Sequence, residues 1–322
     1  MSQVVEPNFF MVGAARSGTT SMYEYLRSHP EIFMPATLAG KEPSHFCDLT
    51  APWAARYRDF DAYLSLFSKG RGRAAVGDGS TNYLVSPESA RRISQRYPNA
   101  KILIILRNPA ERAYSLYRYI CCWGIEDAPT FEKALAREAS RLGNAQFIER
   151  WNLLYHAFLY YNSGLYAEQI TRYQEAFPRE QMHIVLFDDL KKNAVDTVRG
   201  VYRFLGVDPS FEPELDPVNL SGFPRSVRVQ AFLGRRWNGN PLNPKQPRRR
   251  RDDVHYPTAM SINLMLGQFR TVTMAADTRR ALIERYRPDI VRTAAIIGRS
   301  LDRWVEPKVG SPPGSAKAAM PA

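Results

Sequence analysis

Residues Phe9 to Ser21, FFMVGAARSGTTS, join a short apolar run to a loop that contains glycines and hydroxyl side chains. The apolar residues up to Val12 predict a strand that ends at Gly13. Glycine lets the backbone turn tightly and brings its N–H groups close to phosphate oxygens. The loop opens a helix, whose N-terminus adds a positive dipole end and unpaired donors. The stretch therefore predicts a strand, a phosphate-binding loop and a helix, in that order.

Apolar runs followed by helical patterns recur along the rest of the chain. Lys101–Leu106 (KILIIL) is a continuous apolar run, as in a strand buried on both faces, and further strands are predicted at Met182–Phe187 and Ala74–Val76. Helices are predicted after the Asn108-Pro109 cap, from Ser86 to Tyr97, from Val195 to a Gly206 cap, and from Asp277 to Trp304. This alternation predicts an α/β fold in which a parallel sheet carries helices on both faces.

The ends of the chain and its cysteines favour a single domain in a reducing compartment. We expect one domain over residues 1–306 and a disordered tail over 307–322, where Pro, Gly, Ser and Ala dominate. Three cysteines without metal-ligand spacing predict neither a disulfide framework nor a zinc site. The N-terminus has no signal-peptide pattern, and no run of 18 apolar residues predicts a membrane span. We therefore expect a cytoplasmic protein.

The formal net charge of +12 indicates an anionic partner without identifying it. Part of the excess lies in the run Arg248–Arg251, within a stretch rich in Pro and Asn, which is typical of a solvated loop. The alternative interpretation of this run is a non-catalytic surface for binding polyanions.

A second anion site is predicted where KILIIL ends. Arg107 follows this strand directly, and Ser115 lies eight residues further along the next helix. An arginine at the carboxyl end of a strand and a serine on the following helix can converge on one anion, at the edge where open α/β sheets bind ligands.

Together the two segments resemble the donor-binding motifs of sulfotransferases that use 3′-phosphoadenosine 5′-phosphosulfate (PAPS). RSGTTS (16–21) is similar to the 5′-phosphosulfate loop of the bacterial branch, which is related to the glycosaminoglycan enzymes; many members have Lys in place of Arg16. LRNPAERAYS (106–115) is similar to the family's 3′-phosphate motif. The resemblance implies a P-loop-like three-layer sandwich, PAPS as donor, 3′-phosphoadenosine 5′-phosphate (PAP) as product, and no required metal. The implied donor ligands are Arg16, Ser17, Gly18, Thr19, Thr20, Ser21, Arg107 and Ser115, and Arg16 also stabilises the departing phosphate.

The general base is expected in GKEPSHFCD (40–48), which resembles the K-E-P-x-F-F segment of bacterial sulfotransferases. Carried over, Glu42 is the base. Aligning this Glu needs one extra residue before His45, so His45 stays open as the alternative. GDGSTNY (77–83) resembles a segment on the acceptor side of the family's cleft, with Asp78 in place of Glu and Gly79 where the glycosaminoglycan group has Lys. That missing cation argues against a heparan-type polymer.

The predicted reaction is sulfuryl transfer from PAPS to a hydroxyl of a small-molecule or carbohydrate acceptor, with no nucleic-acid partner. The alternative enzyme is a P-loop kinase or triphosphatase, because the loop has G-x-x-x-x-G spacing. Against it, Thr19-Thr20 replaces the Lys-Ser/Thr pair, and KILIIL ends in Arg rather than in a metal-binding Asp. The sequence predicts neither the acceptor nor the oligomeric state.

Overall fold

The computed structural model describes residues 4–36, 38–49, 52–214, 223–224, 226–231, 269–270 and 272–306. The run Arg248–Arg251 and the predicted tail 307–322 lie outside these residues. None of the helices in the described part of the chain has the length and apolar content that crossing a bilayer requires.

Strands and helices alternate along the described chain. The strands are β1 (Phe9–Gly13), β2 (Ile32–Phe33), β3 (Ala75–Asp78), β4 (Lys101–Leu106), β5 (Met182–Leu186), β6 (Phe223–Pro224) and β7 (Phe269–Arg270). The α-helices are α1 (Thr19–Ser28), α2 (Leu38–Lys41), α3 (Phe60–Ser65), α4 (Ser89–Arg96), α5 (Pro109–Cys122), α6 (Phe131–Arg141), α7 (Ala145–Trp151), α8 (Tyr166–Ala176), α9 (Phe187–Lys192), α10 (Ala194–Leu205), α11 (Ala276–Ile297) and α12 (Asp302–Val305). Short 3₁₀ segments lie at Pro52–Arg58, Ser68–Gly70, Asn152–Phe158, Asn162–Gly164 and Arg179–Gln181.

The first five strands form one parallel sheet in the order β2-β3-β1-β4-β5. β1 lies at the centre, and the chain leaves it first toward β3 and later crosses to β4 on its other side. Ligands of open α/β sheets bind beyond the carboxyl ends of the strands at such a switch in strand order. The predicted parallel sheet is confirmed, and β2, a two-residue edge strand, is an addition to it.

Side chains on the two faces of the sheet enter two separate clusters. On one face, alternate residues of β1 and β4 pack against α1 and α10; these are Phe9, Met11, Leu103 and Ile105. On the other face, Phe10, Val12, Ile102, Ile104 and Leu106 pack against α4, α5, α8 and α11. Every residue of β1 is buried, which explains why its sequence is continuously apolar. The three-layer sandwich with helices on both faces is thus confirmed.

Several predicted elements differ in their bounds. The strand predicted at Ala74–Val76 is Ala75–Asp78, and the helix predicted from Ser86 to Tyr97 is Ser89–Arg96. The predicted strand Met182–Phe187 ends at Leu186, which pairs with Leu106 in the last rung of the ladder, and Phe187 begins α9. The predicted C-terminal helix is divided, because Gly298 adopts a left-handed φ of 66° and ends α11 before α12 begins. The resulting turn places α12 beside α9.

Candidate active site

The loop between β1 and α1 depends on two glycines with positive φ. Gly13 has φ 152°, and a Cβ there would lie 2.7 Å from Leu84 Cβ. Gly18 has φ 87° and precedes α1; a Cβ there would lie 2.7 Å from the ring of Phe187. Both conformations and both close approaches require a residue without a side chain. The loop is therefore held to one path across the carboxyl end of the sheet.

The N-terminus of α1 is suited to an anion. No side chain caps it, and its first turn contains no acidic residue, so its dipole and free N–H groups remain available to a ligand. Ser17 and Thr19 are buried, whereas Arg16, Gly18, Thr20 and Ser21 are partly exposed. The partly exposed residues among the predicted ligands of PAPS thus form the accessible surface of the loop.

The structure joins the two predicted phosphate sites through Arg16. Its Nε donates a hydrogen bond to Ser115 Oγ on α5 at 3.3 Å, and its guanidinium lies 4.5 Å from the centre of the Tyr119 ring. Arg107 Nη1 in turn donates to the carbonyl oxygen of Arg16 at 3.1 Å. Loop, strand end and helix therefore meet in one crevice at the switch in strand order.

Arg107 is held from both sides at the end of β4. Its guanidinium lies 4.9 Å from the centre of the Phe187 ring, and its carbonyl oxygen accepts a hydrogen bond from Tyr166 Oη at 2.9 Å. Burial is the main cause that lowers the pKa values of both Arg107 and Arg16. The charge of Glu111 opposes part of the fall in the pKa of Arg107. Desolvated cations in a crevice are favourable partners for a bound polyanion.

A cation at the end of α2 and the carboxylate of the next residue approach the loop. Lys41 Nζ donates a hydrogen bond to Thr20 Oγ1 at 3.0 Å. Glu42 Oε2 accepts one from Thr81 Oγ1 at 3.0 Å. Burial raises the pKa of Glu42, and the charge of Lys41 opposes part of that rise. A carboxylate with a raised pKa accepts a proton more readily near neutral pH, which suits a general base.

His45 lies in a different environment. Its Nδ1 is 2.6 Å from the carbonyl oxygen of Tyr57, and its ring stacks on Tyr63 with centroids 4.6 Å apart. The ring borders a groove of about 480 Å³ together with Arg58, Arg92 and Arg96. Burial lowers the pKa of His45. His45 therefore faces an arginine-lined groove, whereas Glu42 contacts residues around the phosphate loop.

Asp78 and Gly79, in the segment predicted for the acceptor side, lie in different surroundings. Asp78 is completely buried at the end of β3. Gly79 packs so closely that a Cβ would lie 2.7 Å from the Tyr23 ring. Asp78 is therefore closed to solvent, and a side chain at position 79 would require Tyr23 to move.

Sequence reasoning missed three aromatic residues of the crevice: Tyr119, Tyr166 and Phe187. Two positional signals could have found two of them. Tyr119 lies four residues after Ser115 on α5, so both share one helical face. Phe187 follows β5 as Arg107 follows β4, so both reach the same edge of the sheet.

The acidic pair after β5 is engaged with the C-terminal segment. Asp188 Oδ2 accepts a hydrogen bond from Trp304 Nε1 at 2.8 Å. Asp189 forms salt bridges with Arg299 at 2.6 Å and with Arg303 at 2.9 Å. Both carboxylates that follow the apolar strand β5 therefore already have partners within the fold.

Fold and site together define a P-loop-like α/β protein that gathers cations and hydroxyls at the carboxyl edge of its parallel sheet. Residues 6–223 match the sulfotransferase domain family, and the chain belongs to that family.

The chain is similar to sulfotransferases of known identity over different lengths. The crystal structure of a sulfotransferase from Alicyclobacillus acidocaldarius superposes with a TM-score of 0.69 at 31% identity, covering 94% of this chain and 100% of that one. Human heparan sulfate glucosamine 3-O-sulfotransferase 6 is 26% identical over 269 residues, 81% of this chain and 72% of its own length. The membrane-associated sulfotransferase kil1 of Dictyostelium discoideum is 33% identical over 120 residues, 36% of this chain. That match spans 24% of the Dictyostelium protein.

Proposed function

We propose that this sulfotransferase takes its sulfuryl group from PAPS and transfers it to a hydroxyl of a small-molecule or carbohydrate acceptor. The observation that carries the proposal is the bridge from Arg16 to Ser115, 3.3 Å long, with Arg107 bonded to the same loop. One crevice thereby offers cations and hydroxyls at two places, as a donor with a 5′-phosphosulfate and a separate 3′-phosphate requires.

The residues of the crevice fit this donor. The uncapped N-terminus of α1 and the loop around Gly18 would hold the 5′-phosphosulfate, with Arg16 and Lys41 as cations beside it. Arg107 and Ser115 would hold the 3′-phosphate. Arginine suits phosphate because its planar fork donates two parallel hydrogen bonds.

PAPS supplies a sulfuryl group attached to a phosphate that can leave. Glu42 would take the proton of the acceptor hydroxyl while the new O–S bond forms and the S–O bond to phosphate breaks. The negative charge that builds on the departing phosphate lies beside Arg16, Lys41 and the N–H groups of α1. Fixed donors at the place where charge develops contribute most in such transfers.

The acceptor side favours a ligand other than a heparan-type polymer. Gly79 stands where the glycosaminoglycan group has a lysine, and the Tyr23 ring fills the space that a side chain would need. The cation that would meet a polyanionic acceptor at this position is therefore lacking. We accordingly expect a small-molecule or short carbohydrate hydroxyl.

The test is the affinity of the protein for PAP by calorimetry, beside AMP and ATP-Mg²⁺. We expect PAP to bind at least about 100-fold more tightly than AMP, because the 3′-phosphate adds charge-assisted hydrogen bonds. Arg107→Ala and Ser115→Ala should each remove most of this preference while leaving AMP affinity nearly unchanged. Indifference to the 3′-phosphate with a preference for ATP-Mg²⁺ would overturn the proposal in favour of a kinase.

A further inference from the structure

Asp78 is a buried charge at the end of β3 that accepts four hydrogen bonds. Its Oδ1 accepts from the N–H of Ser80 at 2.9 Å and from Ser80 Oγ at 2.6 Å. Its Oδ2 accepts from Tyr63 Oη at 3.0 Å and from Tyr83 Oη at 2.8 Å. Asp78 and Ser80 are completely buried. Neither side chain can therefore touch the sulfuryl donor or the acceptor substrate in the crevice.

The contacts of Ser80 lead to Glu42 by two routes. Ser80 Oγ accepts a hydrogen bond from the N–H of Ser44 at 2.9 Å, and Ser44 follows Glu42 by two residues. Thr81 adjoins Ser80, and its Oγ1 donates to Glu42 Oε2 at 3.0 Å. The backbone after Glu42 and the carboxylate of Glu42 are thus both tied to the same dipeptide.

The hydrogen bond from Ser44 to Ser80 matters because of the backbone conformation of Ser44. It is 2% exposed and adopts a left-handed φ of 51°. Residues other than glycine rarely hold this conformation without support from their surroundings. The hydrogen bond from its N–H to Ser80 Oγ supplies such support. Without it, a buried N–H would lack an acceptor and the turn that carries Glu42 would relax.

We propose that Asp78 and Ser80 are positioning residues that fix the Glu42 carboxylate at the mouth of the phosphate loop. The inference rests on the proposed role of Glu42 as the base. Asp78 orients the Ser80 hydroxyl as a donor through a short charge-assisted bond, so the remaining lone pair of Ser80 Oγ faces Ser44. A small displacement of a reacting group is enough to lower a rate about 100-fold.

Ser80→Ala tests this relay, with Ser89→Ala as the matched control. Ser89 is also completely buried, and its Oγ donates to the carbonyl oxygen of Phe46 at 3.1 Å, in the segment that carries Glu42. The rate to measure is the release of PAP from PAPS without an added acceptor, which needs no knowledge of the natural one. We expect Ser80→Ala to lower this rate between about 10-fold and 100-fold with PAP affinity unchanged, and Ser89→Ala to keep it. Equal rates in the two variants would overturn the proposal.

Crystal structures of the variants give a readout that does not depend on the role of Glu42. In Ser80→Ala we expect Glu42 Oε2 to leave Thr81 Oγ1, and in Ser89→Ala to keep its 3.0 Å contact. A retained contact in Ser80→Ala would overturn the relay whatever the rates are. If Glu42 moves as expected but Glu42→Gln releases PAP at the wild-type rate, the assignment of the base fails and the relay stands. Should Ser80→Ala not fold, Asp78→Asn keeps the shape and should lower the rate about threefold to tenfold.

Discussion

Asp78 makes the stability of the folded protein depend on pH in a calculable way. Burial raises the pKa of Asp78 from 3.8 to about 6, although the hydrogen bonds from Ser80, Tyr83 and Tyr63 oppose the rise. The folded state therefore binds the proton of this carboxyl more tightly than the unfolded state does. The contribution of Asp78 to the free energy of unfolding must fall as pH rises from below 3.8 through 6.

The size of the effect follows from the two pKa values. Between pH 4.5 and 7.5, a shift from 3.8 to about 6 lowers the free energy of unfolding by about 2 kcal/mol. Asp78 is completely buried, so solvent does not screen this charge appreciably. Asp78→Asn removes the titrating group and leaves every other group in place. The stability of the wild type relative to the variant should thus decline by about 2 kcal/mol across this range.

Urea unfolding of both proteins at pH 4.5, 6.0 and 7.5 measures the decline directly. Asp61→Asn, on the exposed first turn of α3, controls for the loss of a carboxylate as such. The difference in free energy of unfolding between the wild type and Asp78→Asn should change with pH, and most of the change should lie below pH 6. A constant difference, or one that grows in favour of the wild type as pH rises, would refute the reasoning about the buried charge.

Two further predictions concern the loop and the base. Gly18→Ala should lower PAP affinity at least about 10-fold, because Gly18 has a left-handed φ and an added Cβ would lie 2.7 Å from the ring of Phe187. Gly298 also has a left-handed φ, but an added Cβ would meet nothing within 4 Å. Gly298→Ala should therefore cost about 1–2 kcal/mol of stability and leave PAP affinity intact. Equal PAP affinities of Gly18→Ala and Gly298→Ala in calorimetry would contradict the role of close packing at Gly18. Glu42→Gln should lower the rate of sulfuryl transfer by about 10²- to 10⁴-fold with PAP affinity unchanged, and His45→Gln should have little effect. Because the pKa of Glu42 is raised, the wild-type rate should fall on the acid side at a pH above the usual carboxyl range. If only His45→Gln lowers the transfer rate, His45 and not Glu42 is the general base.

The central sheet was predictable because its strands are buried on both faces. A strand such as β4 must be apolar at every position after Lys101, and this leaves a continuous run in the sequence. The edge strand β2 comprises Ile32 and Phe33, too few residues to form a pattern. The end of β5 was misplaced by one residue because Phe187 is as apolar as the strand before it; only the ladder with β4 fixes the boundary.

Within the site, the motifs predicted which residues lie at the carboxyl edge but not which of them touch. Arg16 and Ser115 are 99 positions apart, and their contact exists because β1 and β4 are neighbours in the sheet. Glu42 and His45 are three positions apart and both are polar, so spacing alone could not separate them. Their surroundings differ because Glu42 reaches Thr81, whereas the ring of His45 stacks on Tyr63. Environment of this kind is a property of the packed fold.

Arginine rather than lysine at position 16 changes how the two phosphate sites are related. A lysine ammonium acts as a point charge, whereas the guanidinium is planar and offers five donors in fixed directions. In this loop it reaches Ser115 on α5 and lies against the Tyr119 ring. The cation proposed for the 5′-phosphosulfate is thereby bonded to a hydroxyl proposed for the 3′-phosphate. Occupation of either position must then alter the hydrogen bonding of the other, so recognition of the two ends of the donor is coupled rather than additive.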